Sequence, residues 1–134
     1  MSKSTLKQQF HCVYKTQYHL VLVTKYRKRL LTQAALERFE SLARSRAEAW
    51  EGEVLEVSGE ADHVHLLIDL PPKVAVAEFV NALKTGTSRR LRNEFSDIKK
   101  AGPLWSRSYC VLTCGGAPLE IIKEYIQSQD RPDA

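Results

Sequence analysis

The sequence contains no long apolar run: in its 134 residues no stretch approaches the roughly 20 apolar residues that a membrane-spanning helix needs. Its first residues, MSKSTLKQQFHCVYK, lack the apolar core of a secretion signal. Cysteine is scarce, since Cys12, Cys110 and Cys114 are the only three and form no CxxC pair. This spacing argues against a zinc ribbon or a disulfide framework. We therefore expect a protein of the reducing cytosol, with no membrane partner.

Internal repeats, low-complexity tracts and interdomain linkers are also missing, and the length suits one domain over residues 1–134. Apolar residues make up 43% of the chain and charged residues 27%, as in ordinary globular proteins. The formal net charge of +4 favours polyanionic partners only weakly. The positions of the basic residues are therefore more informative than their number.

The secondary structure follows from the spacing of apolar residues. Strands are predicted at residues 13–24, 54–58, 63–70 and 104–113. Helices are predicted from residue 32 to about 50, from 74 to 95 and from 118 to about 129. Thr32 suits the N-cap of the first helix, and Pro118 suits the first turn of the last. The order β-α-β-β-α-β-α predicts an α+β fold: a ferredoxin-like split βαβ unit with an antiparallel sheet, helices on one face and an extra C-terminal helix.

A pair of histidines begins the predicted strand 63–70, in the segment DHVHLLIDL. Because side chains alternate along a strand, His63 and His65 point to one face while Val64 and Leu66 point to the other. Two imidazoles on one face could bind one metal ion. An HxH pair is short, however, and also occurs as two ordinary surface histidines. Taken alone, the pair leaves both interpretations open.

The predicted last helix, in PLEIIKEYIQSQ, places Tyr125 and Gln129 four residues apart and therefore on one helical face. A tyrosine near a C-terminus is usually a packing residue. The pattern becomes more informative beside the HVH pair and the Gly115-Gly116 hinge that precedes the helix. The sequence alone does not decide between packing and chemistry at this helix.

Two groups of basic residues are candidates to bind phosphate groups. They lie in the loop after the first strand and along the second long helix, and consist of Arg27, Lys28 and Arg29, and of Lys84, Arg89, Arg90 and Arg92. Either group could instead be an ordinary solvated surface. Three aromatic residues, Tyr26, Trp105 and Tyr109, are candidates to stack on unpaired bases, although Trp105 could equally belong to the core.

Four segments, YHLVLVTKYRK, DHVHLL, LWSRSYCVLT and YIQSQ, together resemble the single-tyrosine HUH transposases of the TnpA type, from insertion sequences that move as single-stranded DNA. The resemblance covers about residues 13–129. It implies that Tyr125 is the nucleophile and that His63, His65 and Gln129 bind Mg²⁺ or Mn²⁺. Such an enzyme cleaves and rejoins single strands through a 5′-phosphotyrosine intermediate.

The same resemblance implies a prokaryotic cytosolic or nucleoid homodimer that recognises hairpins at element ends, the tyrosine helix of one chain completing the site of the other. Three other functions remain open. A non-catalytic nucleic-acid-binding module of ferredoxin-like fold explains the charge but not the paired motifs. A metal-dependent hydrolase would explain the histidines, but the sequence contains no further His/Asp cluster of the kind such enzymes use. A domesticated relative acting on dispersed genomic palindromes would keep the chemistry and change only its target.

Overall fold

The computed structural model describes residues 7–9, 12–113 and 119–129. Two short strands, β1 (Lys7–Gln9) and β2 (Cys12–Tyr14), pair as an antiparallel hairpin. The main sheet consists of β3 (Gln17–Val23), β4 (Glu53–Glu60), β5 (His63–Asp69) and β6 (Cys110–Thr113). The α-helices are α1 (Gln33–Ala49), α2 (Val76–Glu94), α3 (Ser96–Lys100) and α4 (Leu119–Ser128). Within these described ranges, no helix has the length and apolar character needed to cross a membrane.

The main sheet has the strand order β4-β5-β3-β6, and each neighbouring pair is antiparallel. Strands β3 and β4, which are joined through α1, are separated in the sheet by β5. This is the split βαβ arrangement. The predicted α+β fold, a ferredoxin-like sheet with an additional C-terminal helix, is therefore confirmed.

One face of the sheet packs against α1 and α2 and forms the main core. Leu20 and Leu22 of β3 and Leu66 of β5 meet Phe39 of α1 and Phe79 of α2, and all five side chains are fully buried. Alternation along the strands directs the intervening side chains to the opposite face. That face is free to carry polar and titratable groups.

Helix α1 begins directly after Thr32, the residue that the sequence predicted as its N-cap. Thr32 has extended backbone, and its hydroxyl accepts a hydrogen bond from the backbone N–H of Ala35 at 3.1 Å. Ala35, Phe39 and Ala43 then recur at the spacing of one buried helical face. The helix is thus fixed by a local cap at its start and by packing along its length.

Two predicted strands are shorter than expected. The prediction at residues 13–24 merged two strands, because β2 pairs with β1 and only β3 joins the main sheet. The prediction at residues 104–113 was too long, because Trp105 forms an isolated bridge with Thr24 and its indole N–H donates to the Thr87 hydroxyl at 3.1 Å. Only the last four residues of that prediction form β6. Pro118 and the Gly115-Gly116 hinge lie outside the described residues.

Candidate functional site

The sheet face opposite the main core carries both predicted histidines. His63 and His65 lie on β5 and pair across the sheet with Val23 and Val21 of β3. Helix α4 covers part of the same face, where Ile122 forms a buried cluster with Val21 and Val23. Side chains from β5 and α4 therefore share this face of one chain.

His63 is held by a neighbouring carboxylate. Its Nδ1 lies 2.8 Å from Oδ1 of Asp62, whose other oxygen accepts a hydrogen bond from Nε of Arg27 at 3.4 Å. Burial alone would raise the pKa of Asp62, but its contacts with His63 and Arg27 lower that pKa overall. A carboxylate that accepts the Nδ1 proton leaves Nε2 of His63 free to bind a metal ion.

His65 has an imidazole partner that the sequence did not single out. Nδ1 of His19 lies 3.0 Å from Nε2 of His65, the ring centroids are 5.1 Å apart and the ring planes differ by 28°, so the two rings meet edge to edge at their nitrogens. Burial, followed by the nearby charge of His19, lowers the pKa of His65 and favours its neutral form. His19 pairs with Leu67, so it reaches His65 diagonally across β3 and β5. Only the strand register reveals this contact.

Tyr125 and Gln129 share a polar network with the loop before β6. The Tyr125 hydroxyl lies 3.0 Å from the Ser108 hydroxyl. Ser108 and Ser106 both donate to Oε1 of Gln129, at 3.0 and 3.2 Å. Because the single Ser108 proton goes to Gln129, Ser108 accepts the hydrogen bond from Tyr125. Burial raises the pKa of Tyr125, and the Ser108 contact partly opposes that rise.

The three predicted metal ligands are not brought together by hydrogen bonds. Among the described residues, the side-chain oxygen of Gln129 accepts hydrogen bonds from Ser106 and Ser108, and it makes none with His63 or His65. The described ranges also contain no group of three or more His, Cys, Asp and Glu side chains placed to hold a metal ion. The predicted site has only two such side chains, His63 and His65, completed by an amide. Imidazole nitrogens and an amide oxygen suit a divalent ion, and the role of Gln129 stays a prediction.

The basic residues of α2 divide between two surfaces. A cavity of about 530 Å³ is lined by three predicted residues and one further lysine, namely Lys84, Arg89, Arg92 and Lys99. Arg90 instead lies 3.4 Å from Glu94, measured from Nε to Oε2, and lines the groove between α1 and α2. No carboxylate lines the described wall of the larger cavity. Its charge therefore suits phosphate groups, whereas that of Arg90 is partly neutralised.

Lys84 links the basic cavity to the serine network. Its ammonium group donates to the backbone carbonyls of Ser106 at 2.7 Å and of Arg107 at 3.1 Å. Burial lowers the pKa of this lysine. Lys84 therefore supports the loop that presents Ser106 and Ser108, in addition to contributing charge to the cavity.

The basic loop after β3 is partly engaged within the chain. Arg27 contacts Asp62, Lys28 donates to the carbonyl of Ala101 at 3.1 Å, and Arg29 is exposed. Arg27 also has a positive φ of 55°. Of these three predicted phosphate-binding residues, Arg29 is therefore the most accessible.

The predicted stacking aromatics differ in exposure. Tyr26 is exposed over 44% of its surface, and the ammonium groups of Lys25 and Lys28 lie within 6 Å of its ring centroid, at 5.6 and 5.9 Å. Tyr109 packs partly against the main core, beneath Lys84. Trp105 is only 7% exposed, so the interpretation of Trp105 as a base-stacking residue is wrong.

The sequence of the chain is similar to those of known transposases. Residues 12–129 match the family described as "Transposase IS200 like". Over 80 residues the chain is 39% identical to the ISDra2 transposase TnpA of Deinococcus radiodurans, covering 58% of this chain and 57% of that protein. Over 96 residues it is 34% identical to the transposase for insertion sequence element IS200 of Salmonella typhimurium, covering 69% and 62%. The chain thus spans about three fifths of the length of these relatives.

Two solved structures share the fold. A protein described as a transposase from Deinococcus radiodurans R1 has a TM-score of 0.87 and 33% identity, covering 93% of this chain and 98% of that one. A REP-associated tyrosine transposase bound to a REP hairpin has a TM-score of 0.56 and 12% identity, covering 94% and 68%. At that identity the second likeness concerns the fold alone.

Proposed function

Because the chain belongs to the family of IS200-like transposases, as the resemblance of its four segments indicated, we propose that it cleaves and rejoins single-stranded DNA at insertion-sequence ends. One observation carries this proposal: Tyr125 packs beside Val21 and Val23, on the sheet face that presents His63 and His65. A nucleophile and two potential metal ligands thus share one surface.

Tyr125 acts as the nucleophile. Its hydroxyl oxygen attacks the phosphorus of a DNA phosphodiester, which forms a 5′-phosphotyrosine bond and releases a 3′-hydroxyl. The phosphoester bond is retained, so attack by a 3′-hydroxyl rejoins the DNA and regenerates the tyrosine without ATP. A tyrosine phenol is protonated at neutral pH and the pKa of Tyr125 is raised further by burial, so its proton must leave as the oxygen attacks; the hydrogen bond to Ser108 orients the O–H group beforehand.

His63, His65 and Gln129 are proposed to hold a divalent ion, Mg²⁺ or Mn²⁺. Such an ion, when bound, polarises the scissile phosphate and stabilises the leaving 3′-oxygen. Neutral imidazoles and an amide oxygen add no negative charge, which preserves the attraction for phosphate. Because Ser106 and Ser108 both donate to Oε1 of Gln129, at least one of these hydrogen bonds must break before that oxygen can bind an ion.

The proposed substrate is a single strand that carries a hairpin. The basic cavity on α2 supports this assignment, because its four cationic side chains suit the closely spaced phosphates of a folded strand. A domesticated relative acting on dispersed genomic palindromes is the alternative, and the DNA flanking the gene distinguishes the two.

The working unit is proposed to be a homodimer whose sites are completed in trans. Excision requires two strand ends to be held at once, whereas each chain offers one candidate nucleophile. Within the described chain α4 rests on its own sheet through Ile122. This apolar contact is small. Strand β6 lies at the edge of the sheet, where it could pair with the same strand of a second chain across a two-fold axis.

Tyr125→Phe tests the nucleophile directly. The variant is expected to bind hairpin-bearing strands from the flanking DNA but to form no covalent adduct, because it lacks the attacking oxygen. A denaturing gel with labelled DNA and Mn²⁺ measures this, with Tyr18→Phe, at a residue that packs against the main core, as the matched control that keeps the adduct. EDTA should abolish adduct formation by the native protein, and added Mg²⁺ should restore it. An adduct formed by Tyr125→Phe would refute the assignment of Tyr125 as the nucleophile. Undiminished cleavage in EDTA would show that the mechanism needs no divalent metal ion.

Arg89→Ala and Arg90→Ala test the DNA surface as a matched pair. Arg89 lines the basic cavity, whereas Arg90 contacts Glu94. Arg89→Ala is expected to weaken binding more and to reduce the salt dependence of affinity by about one phosphate contact. Titrations of labelled hairpin DNA at several salt concentrations measure both. Equal affinity for linear duplex and hairpin-bearing single strand would contradict the proposed substrate.

A further inference from the structure

We propose that His19 is a positioning residue: it fixes the tautomer of His65, so that His65 offers Nδ1 to the divalent ion while His63 offers Nε2. The part that concerns the ion rests on the proposed function. The tautomers can be tested separately from that function, because they can be observed without metal or DNA.

The assignment begins with His63. A neutral imidazole carries one N–H and one bare nitrogen. Nδ1 of His63 lies 2.8 Å from an oxygen of Asp62, and an ionised carboxylate only accepts hydrogen bonds. The proton of His63 therefore lies on Nδ1, and its bare nitrogen is Nε2.

The contact between His19 and His65 allows two arrangements. The 3.0 Å separation of Nδ1 of His19 from Nε2 of His65 holds one proton. If His19 supplied it, Nε2 of His65 would be the acceptor and Nδ1 would carry the other proton, so His65 would have no free lone pair. If His65 supplies it, Nδ1 of His65 is bare. Metal-binding histidines usually donate their other N–H to a neighbouring acceptor, which is the second arrangement.

The second arrangement also suits His19 itself. With His65 as the donor, both rings carry their proton on Nε2, the form that neutral histidine favours in water. The ring planes differ by only 28°, so the N–H of one ring points toward the lone pair of the other, as a hydrogen bond requires. Both residues lie on paired central strands, so their backbone positions are fixed as well.

The two histidines then differ in the strength of their support. His63 donates to a charged carboxylate, which makes its bare nitrogen more basic, whereas His65 donates to a neutral ring. Loss of Asp62 should therefore weaken metal binding more than loss of His19. The sequence pattern HVH treats the two histidines as equivalent, and their neighbours make them different.

Long-range ¹H–¹⁵N NMR of protein labelled at histidine tests the tautomers. The chain has 4 histidines, so single substitutions assign every ring. At a pH where the rings are neutral, we expect His63 with its proton on Nδ1 and His65 with its proton on Nε2. A His65 signal with the proton on Nδ1 would overturn the proposal.

Two variants separate positioning from packing. His19→Phe keeps a planar ring at this position but removes the acceptor, so His65 should become a mixture of tautomers and Mn²⁺ affinity should fall about tenfold. His19→Asn restores an acceptor oxygen and should recover the Nε2 tautomer and most of the affinity. Unchanged His65 signals in folded His19→Phe would overturn the positioning role. If instead the tautomers are as proposed but His65→Ala binds Mn²⁺ normally, the proposed metal site fails and the tautomer assignment stands.

Discussion

The two faces of the main sheet are built in opposite ways. The face toward α1 and α2 forms a continuous buried core that includes Phe39 and Leu66. On the other face, the buried apolar cluster of the described chain consists of Val21, Val23 and Ile122. The first face supplies most of the stabilisation, because that depends on apolar area removed from water. The second buries a smaller apolar cluster, so the proposed transfer of α4 to a partner chain would break fewer apolar contacts than detaching α1 or α2 would.

The largest expected effect tests that exchange. Tyr125→Phe and His63→Ala chains should each be inactive alone. If α4 acts in trans, refolding them together should restore about a quarter of the native adduct, because half the dimers are mixed and each has one intact site of two. The adduct on a denaturing gel is the measurement. A mixture that stays inactive despite verified subunit exchange would show that the helix acts in cis.

A smaller effect concerns stability and compares the two faces directly. Phe39→Ala should lower the free energy of unfolding by about 3–5 kcal/mol, because it leaves a cavity in the main core. Ile122→Ala should cost less than about 2 kcal/mol, because α4 can detach without unfolding the sheet. Urea unfolding measures both values. Hydrogen exchange should quicken in α4 alone for Ile122→Ala, and equal costs would indicate one cooperative unit.

The sequence predicted the structure of the face that packs against α1 and α2 more completely than that of the opposite face. Apolar spacing and the Thr32 cap identified α1, because both are local signals. The contact of His19 with His65 depends on the register of β3 against β5, which no local pattern encodes. Ser108 was missed for a similar reason, since its partners Tyr125, on α4, and Gln129, just after α4, lie 17 and 21 residues later in the sequence. Trp105 was ambiguous until its indole partner on α2 was known.

The smallest expected effect concerns two aspartates at opposite ends of β5: Asp62 precedes the strand and Asp69 is its last residue. Contacts with His63 and Arg27 outweigh burial and lower the pKa of Asp62, whereas burial raises the pKa of Asp69. Ionised Asp62 therefore stabilises the fold above its unfolded pKa, and this contribution disappears as the pH falls through its lower folded pKa. Asp69 behaves in the opposite sense: its contribution is present below the unfolded pKa and is lost as the pH rises through its higher folded pKa.

Asp62→Asn should accordingly destabilise the protein at pH 7, and Asp69→Asn should stabilise it, since asparagine imitates the protonated acid. Measured by urea unfolding as a function of pH, the difference between Asp62→Asn and the native protein should change mainly below the unfolded pKa of 3.8. The difference for Asp69→Asn should change mainly above 3.8. If both variants were less stable than the native protein at pH 7, burial would dominate the pKa of neither aspartate. If both were more stable, burial would dominate the pKa of both. Opposite signs would show that the end of the strand beside His63 is arranged to keep its carboxylate charged.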